Sequence, residues 1–459
     1  MHMKELDLPS EQLQQDIKSL CSEYAQYNNI NPELFSKYNV KRGLRNADGT
    51  GVMAGITQIC NVHGYLINEG EKVPIDGELT YRGVNINDII AGCAADNRFC
   101  FEETAWLLLL GNLPTGQQLA KFQEMLAESR NLPDNFTEDM IMKVASPNIM
   151  NMLARSVLAL YTYDYRPDDT SIENVLRQSI QLIARMPSIM VNSYQVKKRV
   201  YDGRSMYLHN PDPELSTAQN ILRLLRSDKR FTEEEANLLD LCLMLHSEHG
   251  GGNNSTFSVR VLTSSGTDTY SAISAGIGAL KGPRHGGANF KVIEQLEYLK
   301  ANVQNWDDDN EIRDYLRKVV NREAGDRSGL IYGIGHAVYT KSDPRAAVLK
   351  KNAFRLAHGT DFEGEFRLLN AVERLAPNIL REKWKTDRSI SNNVDLYSGL
   401  VYRMLGIPDE LHTPLFAIAR TVGWCAHRLE EICTSNKIMR PAYKPVIGDR
   451  PYIPLAERK

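Results

Sequence analysis

Five of the ten histidines stand directly beside a glycine, more than the about one or two expected from average composition. Glycine lets the backbone turn at these positions and lets a ligand approach the imidazole closely. The pattern indicates that some of these histidines line a ligand site. The five are His63, His249, His285, His336 and His358.

Three of these histidines lie in richer settings, because His63 is typical of a turn and His358 of a helix end. His249 precedes three glycines, although a glycine C-cap with a polar loop explains it about equally well. His285 lies between a helix end and a helix start. There the helix dipole keeps the ring neutral and able to donate a hydrogen bond to a developing oxyanion. Each of them, and His336, could equally be a structural histidine.

Three arginines and one aspartate are candidate partners of these histidines. Arg345, Arg420 and Arg440 lie near them or in the C-terminal region, and arginine is best shaped to hold a carboxylate through two hydrogen bonds. Taken singly, each arginine is better explained as a solvated surface charge. Asp395 follows two asparagines and a valine, and could equally be a first-turn aspartate that stabilises a helix N-terminus.

Motifs for other chemistries are missing or incomplete. Gly333-x-Gly335 lacks the third glycine of a dinucleotide fingerprint, because Val338 stands there. The sequence contains neither a GxxxxGK[ST] phosphate loop nor a GxSxG nucleophile elbow. His246 and His249 lie three residues apart on a predicted helix, but no third ligand follows at a useful spacing, so we expect no metal site.

Composition and charge exclude further classes. With 54 basic and 57 acidic residues among 459, the net charge is -3, which leaves no broad positive field for nucleic acid. The seven cysteines form no CxxC pair, which favours a reducing compartment. No apolar run is long enough for a bilayer, and early acidic residues argue against a targeting peptide. We therefore expect no membrane partner and take the cytoplasm as the default location.

Helical periodicity dominates and predicts a large all-α protein. Thr232 and Glu235 form a capping box before the apolar run 238–245, which predicts a central, buried helix. Asp343-Pro344 predicts another helix start, with Gly359 at its end. Further helices are predicted at 310–320, 363–375, 395–405 and 415–432.

Strand signals are confined to the N-terminal part of the chain. Residues 57–59 and 73–81 predict a small hairpin or meander. The turns of this element are predicted at Glu69-Gly70 and at Asp76-Gly77. Nothing in the composition marks a domain boundary sharply.

One longer block resembles a known family. Residues 333–345, Gly-Ile-Gly-His-Ala-Val-Tyr-Thr-Lys-Ser-Asp-Pro-Arg, closely resemble the citrate synthase signature G-[YF]-G-H-x-V-x-x-x-x-D-P-R. Tyr81-Arg82-Gly83 also resembles the family, and the stretch 64–75 looks longer than usual. The likeness spans about residue 40 to the C-terminus. Four further blocks agree in order and spacing, at 246–255, 282–289, 393–399 and 420–441.

The resemblance implies an all-α, two-domain helical fold with a small N-terminal β element. Residues 1–287 and 406–459 would form a large helical dimerisation domain, and residues 288–405 a small, mobile, CoA-binding domain. Closure of the small domain over the substrate would exclude water and complete the site. The resemblance also implies a homodimer.

The resemblance implies a role for each site residue. Asp395 would remove a methyl proton from acetyl-CoA, His285 would donate to the thioester oxygen, and His336 would polarise the oxaloacetate carbonyl. The implied oxaloacetate-binding residues are His249, Asn253, Arg345, Arg420 and, from the other subunit, Arg440. The implied CoA-binding residues are Lys341, Lys383, Lys385 and Arg388.

The implied reaction needs neither a metal nor a cofactor, since acetyl-CoA is itself a substrate. Two alternatives stay open. A 2-methylcitrate synthase would use propionyl-CoA, and the discrimination of one methylene is worth only about 1–3 kcal/mol. A non-catalytic dimer that binds CoA or a dicarboxylate is the alternative from another functional class.

Overall fold

The computed structural model describes residues 10–69, 71–336, 338–434 and 437–458. The described chain is mostly helical with one small sheet, as the sequence predicts. Its helices are α1 Glu11–Tyr27, α2 Glu33–Lys37, α3 Ile86–Ala95, α4 Phe101–Leu110, α5 Gly116–Ser129, α6 Ile149–Leu160, α7 Ile172–Val200, α8 Thr217–Leu225, α9 Glu233–His246, α10 Asn254–Ser264, α11 Thr269–Lys281, α12 Ala288–Asn302, α13 Asp309–Val320, α14 Pro344–Ala357, α15 Glu363–Trp384, α16 Asp395–Met404 and α17 His412–Thr434. The strands are β1 Cys60–Asn68, β2 Glu71–Tyr81 and β3 Val84–Asn85.

The chain separates into two compact units. One is formed by the described parts of Met1–Ala54 and Ile438–Lys459, and the other is Gly55–Lys437. The first unit contains α1, in which no residue is buried. The division into residues 1–287 with 406–459 and residues 288–405 stays a prediction.

The core of the larger unit is built around two buried helices. Thr232 and Glu235 form the predicted capping box, and α9 is buried along almost all of its length beyond the first turn. The second helix, α17, is buried along most of its length before the last turn and packs against α4, α7, α9, α10 and α11. Even Arg420 and Arg428 on α17 are inaccessible to solvent, so charged groups are held inside this core.

Two predicted helices differ at their ends. α15 was expected to stop at residue 375, but it continues through Pro377 to Trp384. Ile379 and Leu380 are buried there, and their burial offsets the backbone hydrogen bond that a proline removes. α17 begins at His412, before the predicted residue 415.

The small sheet has the order β1-β2-β3, and its strands are antiparallel. Pairing of Asn68 with Glu71 is consistent with the turn predicted at Glu69-Gly70, although Gly70 itself lies outside the described residues. The strand predicted at 57–59 is wrong, since β1 begins at Cys60.

The turn predicted at Asp76-Gly77 is also wrong, because both residues lie inside β2. They form a bulge there: His63 pairs with Glu78 while Tyr65 pairs with Pro74, so Gly64 faces three residues of β2. Asp76 and Gly77, residue types that usually form turns, therefore bend β2 instead.

No helix among the described residues combines the length and apolarity needed to cross a membrane.

Candidate functional site

His249 lies on a sharp turn after the buried helix α9. The helix ends at His246 with Ser247 as its C-cap, so the glycine at 250 is not the helix cap. Gly250 has a φ of 90°, which turns the chain back toward α10. Burial holds the pKa of His249 well below its usual range, and the positive charge of Arg345 is the second largest cause of this lowering. The ring is therefore neutral, and its buried Nε2 has no hydrogen-bond partner.

His336 lies in a loop whose backbone fixes the protonation of its ring. Nδ1 accepts hydrogen bonds from the backbone N–H groups of Val338 at 3.0 Å and Tyr339 at 2.9 Å. Because Nδ1 is an acceptor, the ring hydrogen of the neutral form is on Nε2. His336 is thus built to donate from Nε2.

The rings of His249 and His336 lie against each other, although 87 residues separate them in sequence. Their centroids are 5.1 Å apart and their planes are nearly perpendicular. Tyr339 stacks on His336 at 4.7 Å and meets His249 edge-on at 5.5 Å. The three rings form one aromatic cluster.

Backbone hydrogen bonds join the His336 loop to the segment that carries Asp395. Gly335 N donates to Ser391 O at 2.6 Å, and Asn393 N donates to Gly333 O at 2.9 Å. The side chain of Asn393 donates to Gly335 O, also at 2.9 Å. These bonds hold the histidine loop beside the first turn of α16, where Asp395 is the first residue.

Asp395 has an unusual environment for a carboxylate. Burial raises its pKa from about 3.8 to about 6, although Arg345 and Arg420 both favour its charged form. Its backbone N–H donates to the side chain of Asn393 at 3.0 Å. A carboxylate with this pKa is ionised above neutral pH and is a stronger base than an exposed one.

Arg345 is buried and is held by its neighbour Asp343. Asp343 accepts from Nε at 3.1 Å and from Nη2 at 2.8 Å, and it also caps α14 by accepting from the Arg345 backbone N–H. Burial opposes the charge of Arg345, but Asp343 more than compensates and raises the pKa of the guanidinium. The cation is therefore fixed in place before any ligand arrives.

Arg420 is fully buried and incompletely satisfied. Nε donates to His246 O at 2.8 Å, but Nη1 and Nη2 have no hydrogen-bond partner. Burial lowers the pKa of Arg420, and the nearby charge of Glu248 opposes that shift. Nη1 and Nη2 each carry two N–H bonds, and a carboxylate ligand can accept hydrogen bonds from both atoms.

Glu248 is the buried counter-charge beneath Arg420. Burial alone would raise its pKa, but hydrogen bonds from His427 at 2.9 Å and from Gly250 N at 2.6 Å help to hold the pKa below its usual range. Arg260 donates through Nε to His427 Nδ1 at 3.0 Å, so His427 donates to Glu248 from Nε2. This chain of buried groups lies directly behind the His249 turn.

His285 lies in the turn that precedes α12. Its Nε2 is 2.9 Å from Ser255 Oγ, which accepts a hydrogen bond from Trp424 Nε1 at 3.1 Å. Ser255 Oγ is also 3.0 Å from the side-chain oxygen of Asn253. Burial lowers the pKa of His285 to about 4, with Arg420 as the second cause, so the ring is neutral.

Electrostatic coupling shows which predicted residues share one region. Arg420 acts on the pKa of His249, His285 and Asp395, and Arg345 acts on that of His249 and Asp395. His336 belongs to the same region through its ring contact with His249.

The residues expected to bind CoA are not gathered in the same way. Lys341 pairs with Asp76 at 2.7 Å, and Lys383 donates to Asn321 at 2.9 Å. Lys385 and Arg388 are exposed.

Arg440, which was expected to bind oxaloacetate in the other subunit, is exposed and belongs to the unit formed by the two ends of the chain.

Sequence reasoning missed several supporting residues. The sequence predicts Asp343 only as a helix cap. Its hydrogen bonds to the Arg345 side chain arise from the same local motif. Tyr339, Glu248 and His427 gave no separate signal, because their partners are distant in sequence. Among the described residues, no group of three or more histidine, cysteine or acidic side chains is placed to hold a metal ion.

Comparisons with known proteins agree with one another. The family model described as "Citrate synthase, C-terminal domain" matches residues 46–442. The chain is 36% identical over 418 residues to citrate synthase from Acidithiobacillus ferridurans, covering 89% of this chain and 97% of the relative. It is 32% identical over 411 residues to that of Synechocystis sp., covering 89% and 92%.

Solved structures give the same result. The crystal structure of citrate synthase from Thermotoga maritima is 30% identical, with a TM-score of 0.71 and coverage of 92% of this chain and 99% of that one. A ternary complex of carboxymethyl coenzyme A and oxaloacetate with citrate synthase from Thermoplasma acidophilum is 27% identical. Its TM-score is 0.74, and the coverage is 91% and 99%.

The raised pKa of Asp395 predicts a pH-dependent effect of Asp395→Asn on stability. The folded-state pKa is about 6 against about 3.8 for an exposed carboxyl, so the buried charge costs stability as pH rises through this window, and fully above it. We expect the variant to have a higher melting temperature than wild type at about pH 8. The difference should shrink near pH 4.5.

Thermal melts of both proteins at the two pH values measure this difference. Asp361→Asn, at an exposed carboxylate, is the control and should change neither melt. A variant that is less stable than wild type at the higher pH would contradict the burial argument.

Proposed function

Since this chain belongs to the citrate synthase family, we propose that it condenses acetyl-CoA with oxaloacetate and releases citrate and CoA. The observation that carries the proposal is the buried Arg420, whose two free Nη groups lie in the same region as two neutral histidines and a second fixed arginine. Such a pocket suits a small dicarboxylate. The Thermoplasma acidophilum enzyme was solved with carboxymethyl coenzyme A and oxaloacetate, which supports the same pair of substrates.

Oxaloacetate would be held by its two carboxylates and its ketone. Arg420 Nη1 and Nη2, Arg345 and His249 Nε2 are the available donors for the carboxylates. His336 Nε2 would donate to the ketone oxygen and make the attached carbon more electrophilic. Asn253 accepts a hydrogen bond from Ser255, which also lies against His285.

Asp395 would take a proton from the methyl group of acetyl-CoA. This proton is too weakly acidic for a lone carboxylate in water, so the oxygen charge must be stabilised as it forms. His285 would donate to the thioester oxygen. For its Nδ1 to carry that hydrogen, the Ser255 hydroxyl must donate to His285 Nε2 instead of to Asn253 Oδ1.

The enol or enolate carbon would then attack the oxaloacetate carbonyl carbon, and one carbon–carbon bond forms. The ketone oxygen becomes an alkoxide and takes a proton, giving citryl-CoA. Water then cleaves the thioester and releases CoA and citrate. The net result transfers an acetyl group and converts it to an alkyl group, which is an acyltransferase reaction. Lys341, Lys383, Lys385 and Arg388 remain our candidates for CoA contacts.

We also propose that two copies of the chain form a dimer. On α1 the exposed apolar residues Leu13, Ile17, Leu20 and Tyr24 recur at helical spacing. The C-terminal segment likewise exposes large apolar side chains, which a soluble monomer rarely does over a wide patch. These are Ile438, Tyr443, Val446, Ile447, Tyr452, Ile453 and Leu455. The dimer would bring Arg440 to the site of the other subunit.

The preferred acyl donor can be measured directly. Free-thiol release with oxaloacetate should give a kcat/KM for acetyl-CoA about tenfold or more above that for propionyl-CoA, the range of one methylene. A clear preference for propionyl-CoA would favour the 2-methylcitrate alternative. Absence of turnover with both donors would favour the non-catalytic binder.

Variants of the base and of a carboxylate anchor should separate chemistry from binding. Asp395→Asn should lower kcat by about 10²–10⁴-fold and leave the Kd for oxaloacetate near wild type. Arg345→Leu should raise that Kd by about 10–100-fold, because a charge-assisted hydrogen bond is lost. Titration calorimetry with oxaloacetate alone measures both constants, and melting curves check that Arg345→Leu is folded. Equal loss of binding in the two variants would be inconsistent with these roles.

Complementation tests whether Arg440 acts across the dimer. Arg440→Leu and Asp395→Asn should each be nearly inactive alone. When the two are co-expressed, half of the dimers are mixed and each mixed dimer has one intact site, so about a quarter of wild-type activity should return. If Arg440 serves its own subunit, every site keeps one defect and no activity returns. Co-expression of two chains that both carry Asp395→Asn is the matched control.

A further inference from the structure

The hairpin of β1 and β2 lies directly against the loop that carries His336. At its bulge two glycines face that loop, which passes over their backbone. A Cβ added to Gly64 would lie 2.8 Å from Val338 O, and one added to Gly77 would lie 2.7 Å from Tyr339 Cδ1. Both distances are too short for real side chains. The loop therefore contacts this strand pair as closely as a polypeptide backbone allows.

Tyr339 connects the hairpin to the two histidines. Its side chain is fully buried, and its hydroxyl donates to Glu78 O on β2 at 3.3 Å. The same ring stacks on His336 and meets His249 edge-on. A shift of the hairpin would thus move the ring against which both imidazoles lie.

The hairpin also holds the start of α14. Gly77 N donates to Ser342 Oγ at 3.0 Å, and Asp76 accepts from Ser342 Oγ at 3.1 Å and from Lys341 at 2.7 Å. The next residue is Asp343, which fixes Arg345. The position of the guanidinium is therefore tied to the bulge of β2.

On its other face the hairpin meets the turn that carries His249. Tyr81 OH lies within hydrogen-bonding distance of Met244 O and Glu248 O, each at 3.2 Å, near the end of α9. A Cβ added to Gly250 would lie 3.3 Å from Val62 Cγ2. One element therefore contacts both histidine segments.

We propose that the hairpin is a positioning platform for the oxaloacetate site, with Tyr339 and Gly77 as its positioning residues. They set the relative orientation of the His249 and His336 rings and the place of Arg345. The identity of the ligand rests on the function proposed above, but the platform itself does not. A hairpin that served only stability would not act selectively on one substrate.

Tyr339→Phe removes only the hydroxyl that reaches Glu78, and Gly77→Ala pushes the loop away from β2. Each should raise KM for oxaloacetate about tenfold, equivalent to 1.4 kcal/mol. The KM for acetyl-CoA should stay within about threefold of wild type, because neither Tyr339 nor Gly77 lies on the segment of His285, which would contact the thioester.

Matched controls come from the same chain. Tyr270→Phe removes another buried hydroxyl, bonded to Asp164 at 2.7 Å, and Gly92→Ala adds a methyl group where nothing lies within 4 Å. Both controls should leave KM for oxaloacetate unchanged, even if Tyr270→Phe lowers the melting temperature.

A second readout needs no turnover. In protein labelled with ¹⁵N-histidine, the His336 ring resonances, assigned with His336→Gln, should move in Tyr339→Phe and Gly77→Ala and stay in place in both controls. Unmoved resonances in the two variants overturn the platform, as does an unchanged KM for oxaloacetate in an active enzyme. If Gly77→Ala does not fold, Tyr339→Phe decides alone. A wild-type protein without activity refutes the proposed function, while the resonances still test the platform.

Discussion

The site depends on a short backbone ladder between two distant stretches of chain. Gly333 and Gly335 exchange hydrogen bonds with residues 391–393, and this ladder holds the His336 loop beside the helix that begins at Asp395. Gly333 has a φ of 81°, and a Cβ there would lie 2.8 Å from Leu396 Cδ1. Glycine is required at this position on both counts. Without the ladder, the imidazole and the carboxylate would have no fixed relation.

The second constraint on the site is its buried charge, and the two buried arginines, Arg345 and Arg420, have different partners. The charge of Arg345 is balanced by direct contact with Asp343, so the position of its guanidinium is set before a ligand binds. Arg420 has Glu248 as a nearby charge, but its two terminal NH2 groups have no hydrogen-bond partner in the protein. A carboxylate that accepts from these groups forms charge-assisted hydrogen bonds, each worth about 1.5–3 kcal/mol. The fold therefore supplies buried donors that are available to an anion.

The sequence predicts the features that depend on neighbouring residues. The capping box of α9 and the cap at Asp343 are local, and both form as predicted. The Asp76-Gly77 pair is predicted to turn the chain, but it forms a bulge instead. Its conformation is decided by contact with residues about 265 positions away, such as Ser342, which no local pattern contains.

The candidate site likewise has residues that the sequence indicates and residues that it does not. The resemblance of five sequence blocks to one family indicated the histidines, the arginines and Asp395, whereas their residue types taken singly left structural roles open. The pairing of Glu248 with His427, which are 179 positions apart, carries no such signature. The lysines and Arg388, expected to meet CoA, are surface residues whose spacing constrains their position only weakly. The role proposed for Arg440 depends on a second chain, so no pattern within one chain can locate it.

The backbone amides that occupy Nδ1 of His336 also limit which ligands can lie opposite its other nitrogen. That nitrogen only donates, so a ligand must present an oxygen lone pair to it. Aspartate has the same two carboxylates as oxaloacetate, but it carries an ammonium group where oxaloacetate has a ketone. Two N–H groups would then point at each other inside a pocket already lined by guanidinium. If oxaloacetate binds as proposed, the loop that fixes the imidazole would help to distinguish this keto acid from its amino acid counterpart.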